Sequence, residues 1–186
     1  MFSRCSDMGI THTVFDKSGP IYKEMQAALA ELNGGYIKSG FPDGKDPGPP
    51  MKSRAGAKPY DNMGEVARVA AWNEFGTATI PSRPFFRTVI DSSRDKIFDM
   101  AAKFADLALI GKLSTDQAFE NLGLYMQSII RGSIRNGGWT ANAPRTTKAK
   151  HSSRPLIDTG QMINSVTFVK VLRGKAKFSR GSKVVS

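Results

Sequence analysis

An α+β fold, a small and mainly antiparallel sheet covered by several helices, is what this sequence predicts, and three observations carry that prediction. Short strand-like stretches lie toward both ends of the chain, longer runs with helical spacing lie between them, and two of those runs are close enough in sequence to form a long antiparallel helix pair. The chain has 186 residues, 40% of them hydrophobic, which suffices for one domain with a core but not for two. The expected division is a flexible N-terminus at residues 1 to 8, a single domain at 9 to 172, and a basic C-terminal tail or hairpin at 173 to 186.

Residues 9 to 16 are β-branched and apolar with a period near two, and read as a first strand. Pro20 suits a first helical turn, and Ile21, Met25, Ala28 and Leu32 share one face of a helix that ends at Asn33-Gly34-Gly35 and should pack on the sheet. Residues 36 to 42 alternate Ile37, Ser39 and Phe41 against Tyr36, Lys38 and Gly40, a second strand. Residues 43 to 60, with Pro47, Pro49, Pro50 and Pro59 among glycines and lysines, cannot bury a core and form a long exposed loop. A helix follows Asn62, with Glu65 three residues on as its capping partner, and ends near Phe75-Gly76.

From Pro84, the residues Phe86, Ile90, Ile97, Ala101, Phe104 and Ala108 predict one long helix closed by Gly111. Ser114 and Gln117 form a capping box for the next helix, whose stripe is Ala118, Leu122, Met126, Ile129 and Ile134. Residues 139 to 155 read as polar, basic and irregular. Asp158-Thr159-Gly160 then lead through a short turn into a strand at 165 to 172, which Arg173-Gly174 turn into a hairpin with residues 175 to 179. There is no internal repeat and no heptad run.

The formal charge of +11 is unevenly placed, since residues 1 to 120 hold 15 Lys and Arg against 15 Asp and Glu, while residues 121 to 186 hold 12 against one, Asp158. Such asymmetry predicts an acidic partner, nucleic acid or an acidic protein surface, met by Arg145, Lys148, Lys150, Arg154, Lys175, Lys177, Arg180 and Lys183. Lys170 and Arg173 add to the same count. No apolar run reaches the roughly 18 to 20 residues of a membrane span, and the N-terminus lacks the apolar stretch of a signal peptide, so the expectation is synthesis in the cytosol and no membrane partner.

Catalytic candidates are few. Cys5 is alone, and His12 and His151 stand in no metal-ligand spacing, so no cofactor or metal is expected. No phosphate-binding glycine motif is present. Asp91, Asp95 and Asp99 repeat at helical spacing but are interleaved with Arg94, Lys96 and Lys103, as on a solvated face. Glu74, set among Trp72, Asn73, Phe75 and Gly76, is the one acid in an apolar setting, and it lacks a second catalytic group nearby in sequence.

Two blocks carry a resemblance. Val66-Ala67-Arg68-Val69-Ala70-Ala71-Trp72-Asn73-Glu74-Phe75-Gly76-Thr77, followed by Ile80-Pro81-Ser82-Arg83-Pro84-Phe85-Phe86-Arg87, resembles the signature of tailed-phage head-to-tail joining and tail-completion proteins. About 70 residues later, Leu156-Ile157-Asp158-Thr159-Gly160-Gln161-Met162, leading into Asn164-Ser165-Val166, resembles that family's second block. The resemblance spans residues 35 to 172.

The scarcity of catalytic groups by itself argues against an enzyme, and the resemblance implies a structural virion protein: a ring of identical subunits, a hexamer or dodecamer, in the neck or tail, contacting connector or adaptor and tail proteins and surrounding genomic DNA. Within the blocks, Pro81 and Pro84 restrict the chain around Arg83, Gly76 permits a turn, and Phe85 and Phe86 anchor the long helix. Glu74 and Arg83 are candidates to pair across the turn or between subunits. Asp158 or Thr159 caps the short helical turn, with Gly160 allowing close approach. The alternative function is nucleic-acid binding through the basic C-terminal region; a hydrolase acting through Glu74 is the third and weakest.

Overall fold

The computed structural model describes residues 19–49, 59–150, 152–172 and, for the backbone alone, 175–177. The strand expected at 9 to 16, together with Cys5, His12, His151, Arg180 and Lys183, lies outside the described residues. The elements run α1 (Pro20–Leu32), β1 (Tyr36–Gly40), α2 (Met63–Phe75), α3 (Phe85–Ser92), α4 (Arg94–Leu109), α5 (Thr115–Asn136), α6 (Pro144–Lys150), α7 (Gln161–Ser165), β2 (Thr167–Leu172) and β3 (Lys175–Lys177). The fold is α+β, as its sequence predicts.

The sheet is antiparallel throughout, in the order β1-β2-β3, with Lys38 opposite Val169 and Val171 opposite Ala176. Helix α5 packs on β1 and β2 and is the centre of the molecule, because α3 and α4 pack on it as well. Helix α1 packs chiefly on α4 and α5, a correction to the expectation that it would cover the sheet. None of its residues is fully buried, and Ile21, expected on its inner face, is 75% exposed.

Local chemistry accounts for the helix ends. Asn62 Oδ1 accepts from Glu65 N at 3.0 Å, and Glu65 Oε2 reaches back to Asp61 N at 3.2 Å, starting α2. Ser114 and Gln117 close the capping box of α5, with Gln117 N donating to Ser114 Oγ at 3.2 Å and Ser114 N donating to Gln117 Oε1 at 3.0 Å.

Two expectations fail here. The single long helix from Pro84 breaks at Ser93, which ends α3 and starts α4; Ser92 Oγ back-bonds to Val89 O at 3.3 Å, the competition by which serine pairs bend helices. The stretch 139 to 155, expected to be irregular, contains α6, begun by Pro144 in its first turn with Thr147 N donating to Ala143 O at 3.0 Å.

The core gathers Met63, Val66 and Ala70 of α2, Phe85 of α3, Ile130 and Ile134 of α5, and Leu156, Met162, Ile163 and Val166 around α7. On α5 the buried face is Ala118, Gly123, Gln127, Ile130 and Ile134, while Leu122, Met126 and Ile129 of the expected stripe are only half-buried. Gly123 is required there: a Cβ would run into the ring of Phe168, which is fully buried. Gln127 Nε2 donates to Val166 O at 2.7 Å and holds the start of β2 to the helix.

Candidate functional site

The two sequence blocks meet at the junction of α2, the turn that follows it, the N-terminus of α3, and α7. Gly76 ends α2 at φ 79° and ψ 171°, a conformation open only to glycine, and a Cβ there would stand 2.9 Å from Ser82 N. The turn closes on itself through Thr77, whose N–H donates to Ile80 O at 2.8 Å and whose Oγ1 accepts from Ile80 N at 3.0 Å. Ser82 Oγ ties it back to Glu74 O at 2.9 Å.

Within the chain Glu74 and Arg83 do not pair across the turn, a correction to that part of the expectation, because each spends its hydrogen bonds on other partners. Glu74, buried, caps α3: Oε2 accepts from Phe86 N at 2.9 Å, and Oε1 accepts from Arg87 N at 3.0 Å and Arg87 Nε at 3.1 Å. A carboxylate at a helix N-terminus satisfies orphan N–H groups and complements the helix dipole. Pro84 is the N-cap residue of α3 in backbone terms but offers no side-chain oxygen, so Glu74 supplies one from outside the helix. Phe85 is fully buried beneath this cap, and Phe86 is half-buried.

Arg83 is 3% exposed. Its Nε donates to Thr140 O at 2.7 Å, Nη1 to Asn73 Oδ1 at 2.9 Å, and Nη2 to Ala141 O and Asn142 Oδ1, both at 3.2 Å. It thereby fastens residues 140 to 142 to the end of α2. Burial pushes its guanidinium below its ordinary pKa, and no carboxylate among the described residues lies within ion-pair distance of it.

In the second block, Leu156 is buried and Asp158 exposed. The expected side-chain cap from Asp158 or Thr159 is weak: Gly160 is the N-cap residue at φ 76°, and the one contact to the helix start is Gln161 N to Thr159 Oγ1 at 3.4 Å. Gln161 instead binds Tyr60, donating to its carbonyl at 2.9 Å and accepting from its N–H at 2.8 Å. Asn164 Nδ2 donates to Pro49 O at 2.7 Å, so both described ends of the loop 43 to 60 are fastened to α7. The blocks together line a cleft of about 260 Å³ whose wall includes Asn73, Pro81, Arg83, Asp158, Thr159 and Gly160.

Two aromatic groups of the first block, Trp72 and Phe75, remain outside. Trp72 is 43% and Phe75 67% exposed, with the guanidinium of Arg68 over the Trp72 ring at 5.3 Å and that of Arg87 over the Phe75 ring at 5.1 Å.

Of the basic residues expected to face an acidic partner, Arg145 and Lys148 stand exposed on α6, as does Arg154 beyond it. Lys150 turns inward and donates to Arg154 O at 3.1 Å and Pro155 O at 3.0 Å. Lys175 and Lys177 lie on β3, and their side chains are outside the described atoms. Lys170 does not belong to an open basic surface: it is 5% exposed and pairs with Asp116 Oδ2 and Glu120 Oε2, each at 2.8 Å. Burial acts to lower its pKa, but the hydrogen bonds and charges of these two carboxylates together outweigh it and hold the ammonium above its ordinary value. Sequence reasoning missed this cluster, although Lys170 shares strand parity with Phe168 and therefore points at α5. It also missed Arg131, half-buried, which donates to Val166 O at 2.9 Å.

Among the described residues no group of three or more His, Cys, Asp and Glu is placed to hold a metal ion, and no helix is long and apolar enough to cross a membrane. Comparison with protein-family models, curated proteins and solved structures gave no match.

Proposed function

We propose that this chain is a structural subunit of a tailed-phage virion, assembling with copies of itself into a ring at the head-to-tail junction around the DNA channel. The observation that carries the reading is convergence: two blocks resembling those of neck and tail-completion proteins, distant in sequence, share one core and line one cleft. Glu74 and Arg83 spend their hydrogen bonds on folding that junction. Nothing in their geometry leaves a group poised for turnover, which disfavours the hydrolase reading.

A closed ring of identical subunits needs two different complementary faces on each. One candidate is the exposed Trp72 and Phe75 beside Arg68 and Arg87, residue types enriched at the energetic centres of interfaces. The other is an apolar groove of about 630 Å³ between β1 and the helices, lined by Ile37, Phe86, Ile90, Ile97, Phe119 and Leu122. The runner-up, nucleic-acid binding through the basic C-terminal third, is favoured by the exposed Arg145, Lys148 and Arg154.

The test is a Trp72→Ala/Phe75→Ala variant supplied to a phage lacking its own copy of the protein. The expected outcome is unjoined heads and tails, with the variant's unfolding transition unchanged. Normal joining by a folded variant would remove this face from the reading.

A further inference from the structure

We propose that the cleft beside Arg83 is a socket for a carboxylate side chain presented by an acidic segment of a partner protein. The inference stands on the cleft itself and holds whether or not the chain forms a ring.

Arg83 supplies the reason. A guanidinium has five N–H donors, and four of them here go to the neutral oxygens of Asn73, Thr140, Ala141 and Asn142. The charge is therefore dispersed over dipoles but never neutralised, although the side chain is 3% exposed. Buried charges are ordinarily paired, because the loss of hydration is recovered only by an opposite charge. This one instead lines an open cleft of about 260 Å³.

The surroundings have the same sign. Lys150 is a second cation on the wall, Asp158 is the one carboxylate among the lining residues, and Arg145, Lys148 and Arg154 stand exposed nearby along the same stretch of chain. Neutral donors are available as well, from Thr146, Thr159 and Asn142. An incoming carboxylate would meet an excess of positive charge and the fifth guanidinium N–H, on Nη1, which the four internal bonds leave over.

Shape chooses between the two anionic classes of partner. Phosphates on a DNA duplex meet charges that project from a surface, which Arg145, Lys148 and Arg154 do and Arg83 does not. A glutamate or aspartate on a protruding segment can reach down to a recessed charge such as Arg83.

The experiment is calorimetric titration of the full chain at low salt with a blocked hexaglutamate peptide, and separately with a short DNA duplex. Because Arg83 variants risk misfolding, the informative variant is Thr146→Trp, which fills the cleft from an exposed position on α6. A second variant, Arg145→Ala/Lys148→Ala, removes surface charge and leaves the cleft intact. The proposal expects saturable peptide binding that Thr146→Trp weakens roughly tenfold or more, and that the surface variant weakens less. DNA binding, if present, should respond in the opposite order. Absence of peptide binding, or peptide binding indifferent to Thr146→Trp, overturns it.

Discussion

Glu74 and Arg83 lie nine residues apart with opposite charges, yet the structure sends them in opposite directions, Glu74 to the N-terminus of α3 and Arg83 to the carbonyls of 140 to 142. That both matter was legible from the blocks that contain them. Their partners were not, because backbone N–H and C=O groups are the same in every sequence and only the fold says which are left orphaned. Glu74→Ala, which uncovers two helix N–H groups beneath a buried site, should destabilise the protein by about 2 kcal/mol in denaturant unfolding, and Glu74→Gln by less.

Lys170 gives the pH-dependent prediction. Its pKa in the folded protein lies above the ordinary 10.5, so its contribution to stability is complete below that value and disappears as pH climbs through the folded one. Stability should therefore fall on the alkaline side of about 10.5. Asp116→Asn/Glu120→Gln leaves the ammonium buried without an opposite charge; it should cost about 3 kcal/mol at neutral pH and, because burial alone then lowers the folded pKa, abolish or invert that alkaline fall, measured by thermal unfolding across the alkaline range.

At the scale of elements, capping chemistry and period carried most of the sequence reading. Helices α2 and α5 begin where Asn62 and Ser114 place them, and β1 and β2 fall within the two strands expected at residues 36 to 42 and 165 to 172. The break at Ser93 escaped because the apolar spacing continues across it; a period measures where side chains point, not whether the backbone is continuous. Helix α6 escaped because it buries none of its residues and so has no apolar stripe to read.

The half-buried face of α5 reads as apolar, whereas its buried face includes Gly123 and Gln127, residues chosen for fit against β2. Gly123→Ala should accordingly cost about 1–3 kcal/mol, since Phe168 is fully enclosed and cannot retreat from the added methyl. A midpoint of chemical unfolding equal to that of the parent chain would show that the α5 to β2 contact is looser than described.

For the whole molecule, the α+β architecture follows from the sequence, and the convergence of the two blocks is a property of the fold that neither block reveals alone. Charge works differently at this scale. Among the described residues of the C-terminal third, Lys170 and Arg131 are used internally, whereas Arg135, Arg145, Lys148 and Arg154 are exposed. The proposed ring places copies of this chain side by side, with the exposed Trp72 and Phe75 contributing to the contact between them. The most direct test is to locate the protein in purified phage particles by labelling the chain and counting its copies. A fixed number of copies, six or twelve as the resemblance implies, at the head-to-tail junction is the predicted result; absence from mature particles, with the chain recovered as a free monomer, would contradict it.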